Sequence, residues 1–133
     1  MLDKILCVDD DPITLMLCRK VIAKAGFARE TDSAINGEAA LHYFDDLILS
    51  DRKHPELILL DLNMPVMGGW EFLDNFSKGT YANVFAEVKV IVLSSTIDPQ
   101  DVEKAKSYPM VMEFMSKPIT TEMLDELNSK LYK

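Results

Sequence analysis

The chain has 133 residues, 27% of them charged and 48% hydrophobic, with six prolines and five glycines. These ordinary values make a single domain over residues 1–133 the default and exclude collagen-like, disordered and low-complexity chains. The 14 Lys and Arg against 22 Asp and Glu leave a net charge of −8, which repels nucleic-acid phosphates and anionic membrane surfaces, so neither is an expected partner.

Lys4-Ile5-Leu6-Cys7-Val8 reads as a strand buried on both faces of a parallel sheet, stopping at the acidic triplet Asp9-Asp10-Asp11. Asp11-Pro12 is an N-cap followed by proline at the first helical position. It opens a helix to Gly26 whose apolar stripe is read as Ile13, Met16, Leu17, Val21 and Ile22. Cys7 and Cys18 have no CxxC or zinc-type spacing and are expected reduced and buried. Phe27 to Thr31 predicts a short, weak strand. Ser33 to Asn36 starts a second helix with Ala39, Ala40, Tyr43, Phe44 and Leu47 on its apolar face, ending near Ser50 before a polar loop from Asp51 to Pro55.

Leu57-Ile58-Leu59-Leu60 is the next buried strand, closed by Asp61 and a turn from Asn63 to Gly69. A third helix follows to Ser77, with Trp70, Phe72, Leu73 and Phe76 as its core face. Val88 to Leu93 is a fourth strand ending at Ser94-Ser95, and Asp98-Pro99 caps a fourth helix to about Lys106. Val111 to Met115 is the fifth strand, ending at Ser116-Lys117-Pro118, and Thr120 or Thr121 caps a last helix to about Tyr132. His42 and His54 have no partners in view and are expected at the surface. No signal peptide or membrane span appears, so the expected location is the cytoplasm.

Five βα units in series imply an α/β fold, a parallel sheet covered by helices on both faces, with its functional crevice at the carboxyl ends of the strands. At those ends stand Asp9 and Asp10, Asp61, Ser94 and Lys117. Three carboxylates in one crevice repel one another unless a hard divalent cation is present. Carboxylate, carbonyl and water oxygens suit Mg2+. A hydroxyl at Ser94 and an ammonium at Lys117 are the donors to place around the remaining oxygens of a phosphoryl group.

Val8-Asp9-Asp10-Asp11, Leu60-Asp61-Leu62-Asn63-Met64-Pro65-Val66-Met67-Gly68-Gly69, Leu93-Ser94-Ser95 and Phe114-Met115-Ser116-Lys117-Pro118 resemble, in order and over essentially the whole chain, the receiver domain of two-component response regulators. The resemblance implies a flavodoxin-like doubly wound fold with strand order 2-1-3-4-5 and phosphorylation of an aspartate by a sensor histidine kinase or a histidine phosphotransfer protein. It makes Asp61 the phosphoacceptor. Asp10 becomes a direct Mg2+ ligand, Asp9 one acting largely through water, and Asn63 a ligand through its backbone carbonyl. Ser94 and Phe114 become the switch pair, Lys117 the phosphoryl partner, and Pro118 the residue after a cis bond. Asn63 and Thr96 would tune the lifetime of the acyl phosphate. Switching would alter the surface of the fourth helix, fifth strand and last helix.

With no output domain after the last helix, such a receiver would catalyse only its own phosphorylation and dephosphorylation. It would act in trans on an unidentified output protein; a phosphorylation-dependent dimer stays open. Met110, Met112 and Met115 lie near the fifth strand, where a partner would dock. Ser95 departs from the alanine or other small residue usual beside the site, Gly68 from an often acidic position, and the connection from Lys78 to Glu87 is longer than usual. A metal-dependent phosphatase with an aspartyl-phosphate intermediate is the enzyme alternative, opposed by Asn63, which cannot exchange a proton as a carboxylate does. A flavin binder is opposed by the charge of Asp9-Asp10-Asp11, and a degenerate receiver acting as a constitutive interaction module is the remaining alternative.

Overall fold

The computed structural model describes residues 1–50 and 52–131; the Asp51 end of the predicted loop and the Tyr132 end of the last predicted helix lie outside them. In chain order the elements are β1 (Leu2–Val8), α1 (Pro12–Ala25), β2 (Ala28–Ala34), α2 (Gly37–Ser50), β3 (Leu57–Asp61), α3 (Gly69–Phe76), α4 (Gly79–Val84), β4 (Lys89–Ser94), α5 (Pro99–Ala105), β5 (Val111–Ser116) and α6 (Thr121–Leu131). The five strands form one parallel sheet in the order β2-β1-β3-β4-β5, as expected.

Alternate residues of the central strands feed two cores. Leu6, Val8, Ile58, Leu60, Val90 and Val92 pack under α2 and α3, whereas Ile5, Cys7, Leu57, Leu59, Ile91 and Leu93 pack under α1 and α6. All five residues of β3 are buried, and an aliphatic side chain so placed gains roughly 1.5–3 kcal/mol of hydrophobic stabilisation. On the first face Phe44 is the hub, with ring centroids 4.7 Å from Phe76 and 4.8 Å from Phe85.

Several local expectations change. The stripe of α1 is rotated: Leu15, Cys18 and Ile22 are buried, while Ile13, Met16 and Leu17 face outward at 63%, 47% and 46% exposure. Both sets obey the helical repeat, so periodicity alone does not choose between them; the packing against β1 and α6 does. β2 runs three residues beyond the predicted end, because its polar residues pair with β1 from Leu2↔Ala28 to Val8↔Ala34.

The long connection after α3 contains a sixth helix among the described residues, α4. It buries none of its own residues, and is seated by Tyr81, whose hydroxyl donates to Asp45 Oδ1 at 2.5 Å, and by the buried Phe85 just beyond it. Six residues without an apolar repeat leave no sequence signature for such a turn. His54 is half-buried, edge-on to Phe85 at 5.3 Å, and Trp70 is half-buried rather than in the core. Cys7 and Cys18 are both buried and free.

Candidate functional site

Parallel pairing brings residues far apart in sequence to one edge. With Val8 opposite Leu60 and Asp61 opposite Leu93, Asp9 emerges beside Asp61, and Ser94, opposite Ser116, sits next to the turn that carries Lys117. Backbone bonds extend the ladder into these ends: Asp9 N–H donates to Ala34 O at 3.0 Å and Lys117 N–H to Ser94 O at 2.8 Å.

Asp9 and Asp61 are buried and Asp10 is exposed. Their carboxylate oxygens lie within 4.8 Å of one another. The Lys117 ammonium lies between two of them, 2.6 Å from Asp9 Oδ2 and 3.2 Å from Asp61 Oδ1. The other Asp9 oxygen accepts from Asp11 N–H at 3.0 Å, so Asp9 is fixed from both sides. Asp11 itself caps α1, accepting from Ile13 N–H at 3.0 Å, with Pro12 at the first turn.

Burial raises the Asp61 pKa; the Asp9 charge adds to this, while Lys117 and the Asn63 backbone N–H oppose it. For Lys117, burial works downward, but its bond to Asp9 and the charges of Asp61 and Asp9 outweigh it, and the net shift is upward. Three carboxylates against one ammonium leave two uncompensated negative charges in a partly buried crevice. That donor set of hard oxygens, clustered within the reach of one ion, fits a divalent cation of the Mg2+ class.

Ser94 is buried, and its Oγ accepts from Thr96 N–H at 3.3 Å, leaving the hydroxyl proton free to donate. Asn63 and Thr96 are both exposed beside the crevice. Phe114 is half-buried on β5, against the first core, and helps to line a cavity of about 190 Å³ between α5 and β5. The Lys117–Pro118 bond is cis.

Backbone packing shapes the loop after Asp61. A Cβ on Gly69 would lie 2.6 Å from the Asp61 carbonyl oxygen, so only glycine lets α3 start this close to β3. Val66 takes φ +70° in a three-residue turn closed by Met67 N–H to Pro65 O at 2.8 Å, and Gly37 N–H then donates to Met67 O at 2.8 Å. Neither Gly37 nor Val66 stands out in the sequence. The glycine directly after the Asn36 cap is the one available signal, and nothing local marks a valine for a left-handed conformation.

Residues 5–128 match the family model for the response regulator receiver domain. A two-component response regulator from Cytophaga hutchinsonii has a crystal structure that superposes with a TM-score of 0.89 at 33% identity, covering 98% of this chain and 96% of that one. The probable methanogenesis regulatory protein FilR2 of Methanothrix harundinacea is 28% identical over 120 residues, 90% of this chain and 75% of that protein. The chemotaxis protein CheV3 of Helicobacter pylori is 30% identical over 131 residues, 90% of this chain but 39% of that protein.

Proposed function

The chain belongs to the response regulator receiver domain family, and we propose that it is a phosphoacceptor of a two-component relay, phosphorylated on Asp61 by a histidine kinase or a histidine phosphotransfer protein. One observation carries this reading: Lys117 bridges Asp9 and Asp61 beside Asp10, a pairing of residues up to 108 positions apart.

In the transfer step an Asp61 carboxylate oxygen attacks phosphorus. The new O–P bond forms as the donor's P–N bond breaks, and the imidazole nitrogen leaves with the electron pair. Lys117 is placed to share its protons with the transferred group's oxygens as they gain charge, and Asp9, held by Asp11, keeps that ammonium in position. Ser94 offers its hydroxyl proton to another phosphoryl oxygen. Asp9, Asp10, Asp61 and the Asn63 carbonyl would hold Mg2+, which supplies positive charge against the incoming dianion. The added charge of about −1.5 to −2 then biases the packing around Ser94 and Phe114.

The readout surface is that of α5, β5 and α6, where Met112, Glu113 and Phe114 are partly accessible, and output is by docking in trans to another protein. The chain turns over no separate substrate. Asn63 stands where a phosphatase of related chemistry would need a carboxylic acid, which weighs against that alternative.

The test is intact mass and peptide mapping after incubation with acetyl phosphate. Wild type gains one phosphoryl group on Asp61 only with Mg2+, Asp61→Asn gains none, and Asp10→Ala loses incorporation. Normal incorporation by Asp10→Ala would refute the metal assignment. Turnover of an organic phosphate ester by the wild type, lost in Asp61→Asn, would favour the phosphatase.

A further inference from the structure

α5 is weakly seated. Of its seven residues only Ala105 is buried, and the cavity of about 190 Å³ lies between it and β5. A helix that buries so little gains little from burial, and something else must hold it.

Its carboxyl end is tied to α3. Trp70, in the first turn of α3, stacks on Tyr108, just beyond α5, with centroids 5.9 Å apart and planes at 20°. Lys104, in the last turn of α5, sets its ammonium 4.6 Å from the centre of the Trp70 ring. One turn further along α3, Asp74 accepts the Tyr108 hydroxyl at 2.5 Å. Positions i and i+4 of one helix therefore grip the end of another.

Both tied helices spring from the phosphoryl site: α3 follows the loop of Asp61 and Asn63, and α5 the loop of Ser94 and Thr96. A phosphoryl group bonded to both Asp61 and Ser94 draws those loops together, and the tie at the carboxyl end of α5 resists any movement of that helix that follows.

We propose that Trp70, Lys104, Tyr108 and Asp74 form a clasp that holds α5 in its unphosphorylated position and so weights the switch against the active state. The regulatory half of this rests on the receiver reading above. A stacked aromatic pair and an exposed cation–π contact are together large enough to shift a two-state equilibrium by about fivefold or more.

The test uses the full chain with Tyr108→Leu, which removes the stack and the hydroxyl, and Lys104→Met, a surface change that keeps bulk without charge. Without any phosphoryl analogue, amide exchange in residues 99–108 should quicken by about fivefold, with β1 and β3 unchanged. With Mg2+ present, the beryllofluoride concentration at half-saturation, followed by fluorine NMR, should fall by a similar factor. Unchanged exchange in both variants would overturn the clasp. Faster exchange with unchanged half-saturation would overturn its role in switching. A wild type that neither binds beryllofluoride nor takes phosphoryl on Asp61 would instead overturn the receiver reading, leaving exchange alone to judge the tie.

Discussion

At Asp61 burial and the Asp9 charge push the pKa up and Lys117 pulls it down, and burial leads, raising it. A raised carboxylate pKa means that the folded protein holds this proton more tightly than the unfolded chain. The resulting stabilisation is complete below the ordinary carboxylate range, ~3.9 for aspartate, and is lost as the pH rises through the raised value. At neutral pH the ionised group is therefore a cost to the fold. Without divalent cation, Asp61→Asn should raise Tm at pH 7. Calorimetry should show the gap to wild type narrowing as the pH is lowered toward the carboxylate range. A variant that melts below wild type at pH 7 would show that the Lys117 contact outweighs burial. The identities of Asp9, Asp10, Asp61, Ser94 and Lys117 were legible because each follows an apolar run that reads as a strand. The orientation of Asp9 between Lys117 and Asp11, and the left-handed Val66, were not. Both arise from contacts made only when separate loops meet.

At the scale of elements, buried strands and proline-capped helices announce themselves through local chemistry. Asp11-Pro12 and Asp98-Pro99 cap as read, with Asp98 accepting from Gln100 N–H at 2.9 Å. The facing of α1 is different, since apolar residues occupy two overlapping stripes and only one can meet the sheet. Leu15→Ala should cost about 2–4 kcal/mol in urea unfolding and Leu17→Ala less than about 1 kcal/mol, because truncation creates a cavity only where the side chain is enclosed. Equal costs would mean that Leu17 is packed as well. α4 illustrates the opposite case, a helix held by Tyr81 and Phe85 rather than by its own apolar face.

For the whole molecule, the sheet order β2-β1-β3-β4-β5 concentrates part of the net negative charge at one edge, where Asp9, Asp10 and Asp61 converge. Binding of Mg2+ to the folded state alone would stabilise it by mass action, about 2.7 kcal/mol at a hundredfold excess over Kd. Scanning calorimetry should find a saturable rise of Tm with Mg2+ in wild type, absent in Asp10→Ala. Sodium chloride at matched ionic strength should produce none of that saturable component. A rise of equal size in Asp10→Ala would indicate general charge screening. By itself, the sequence determined the α/β class, the carboxyl ends of β1, β3, β4 and β5 and the side chains standing there, because apolar runs, caps and charges act over a few residues. The tertiary structure decided which stripe of α1 is buried, that α4 exists, and that Lys117 bridges Asp9 and Asp61. It also decided that Trp70 reaches α5. Each of these depends on surfaces that touch only after the strands have paired.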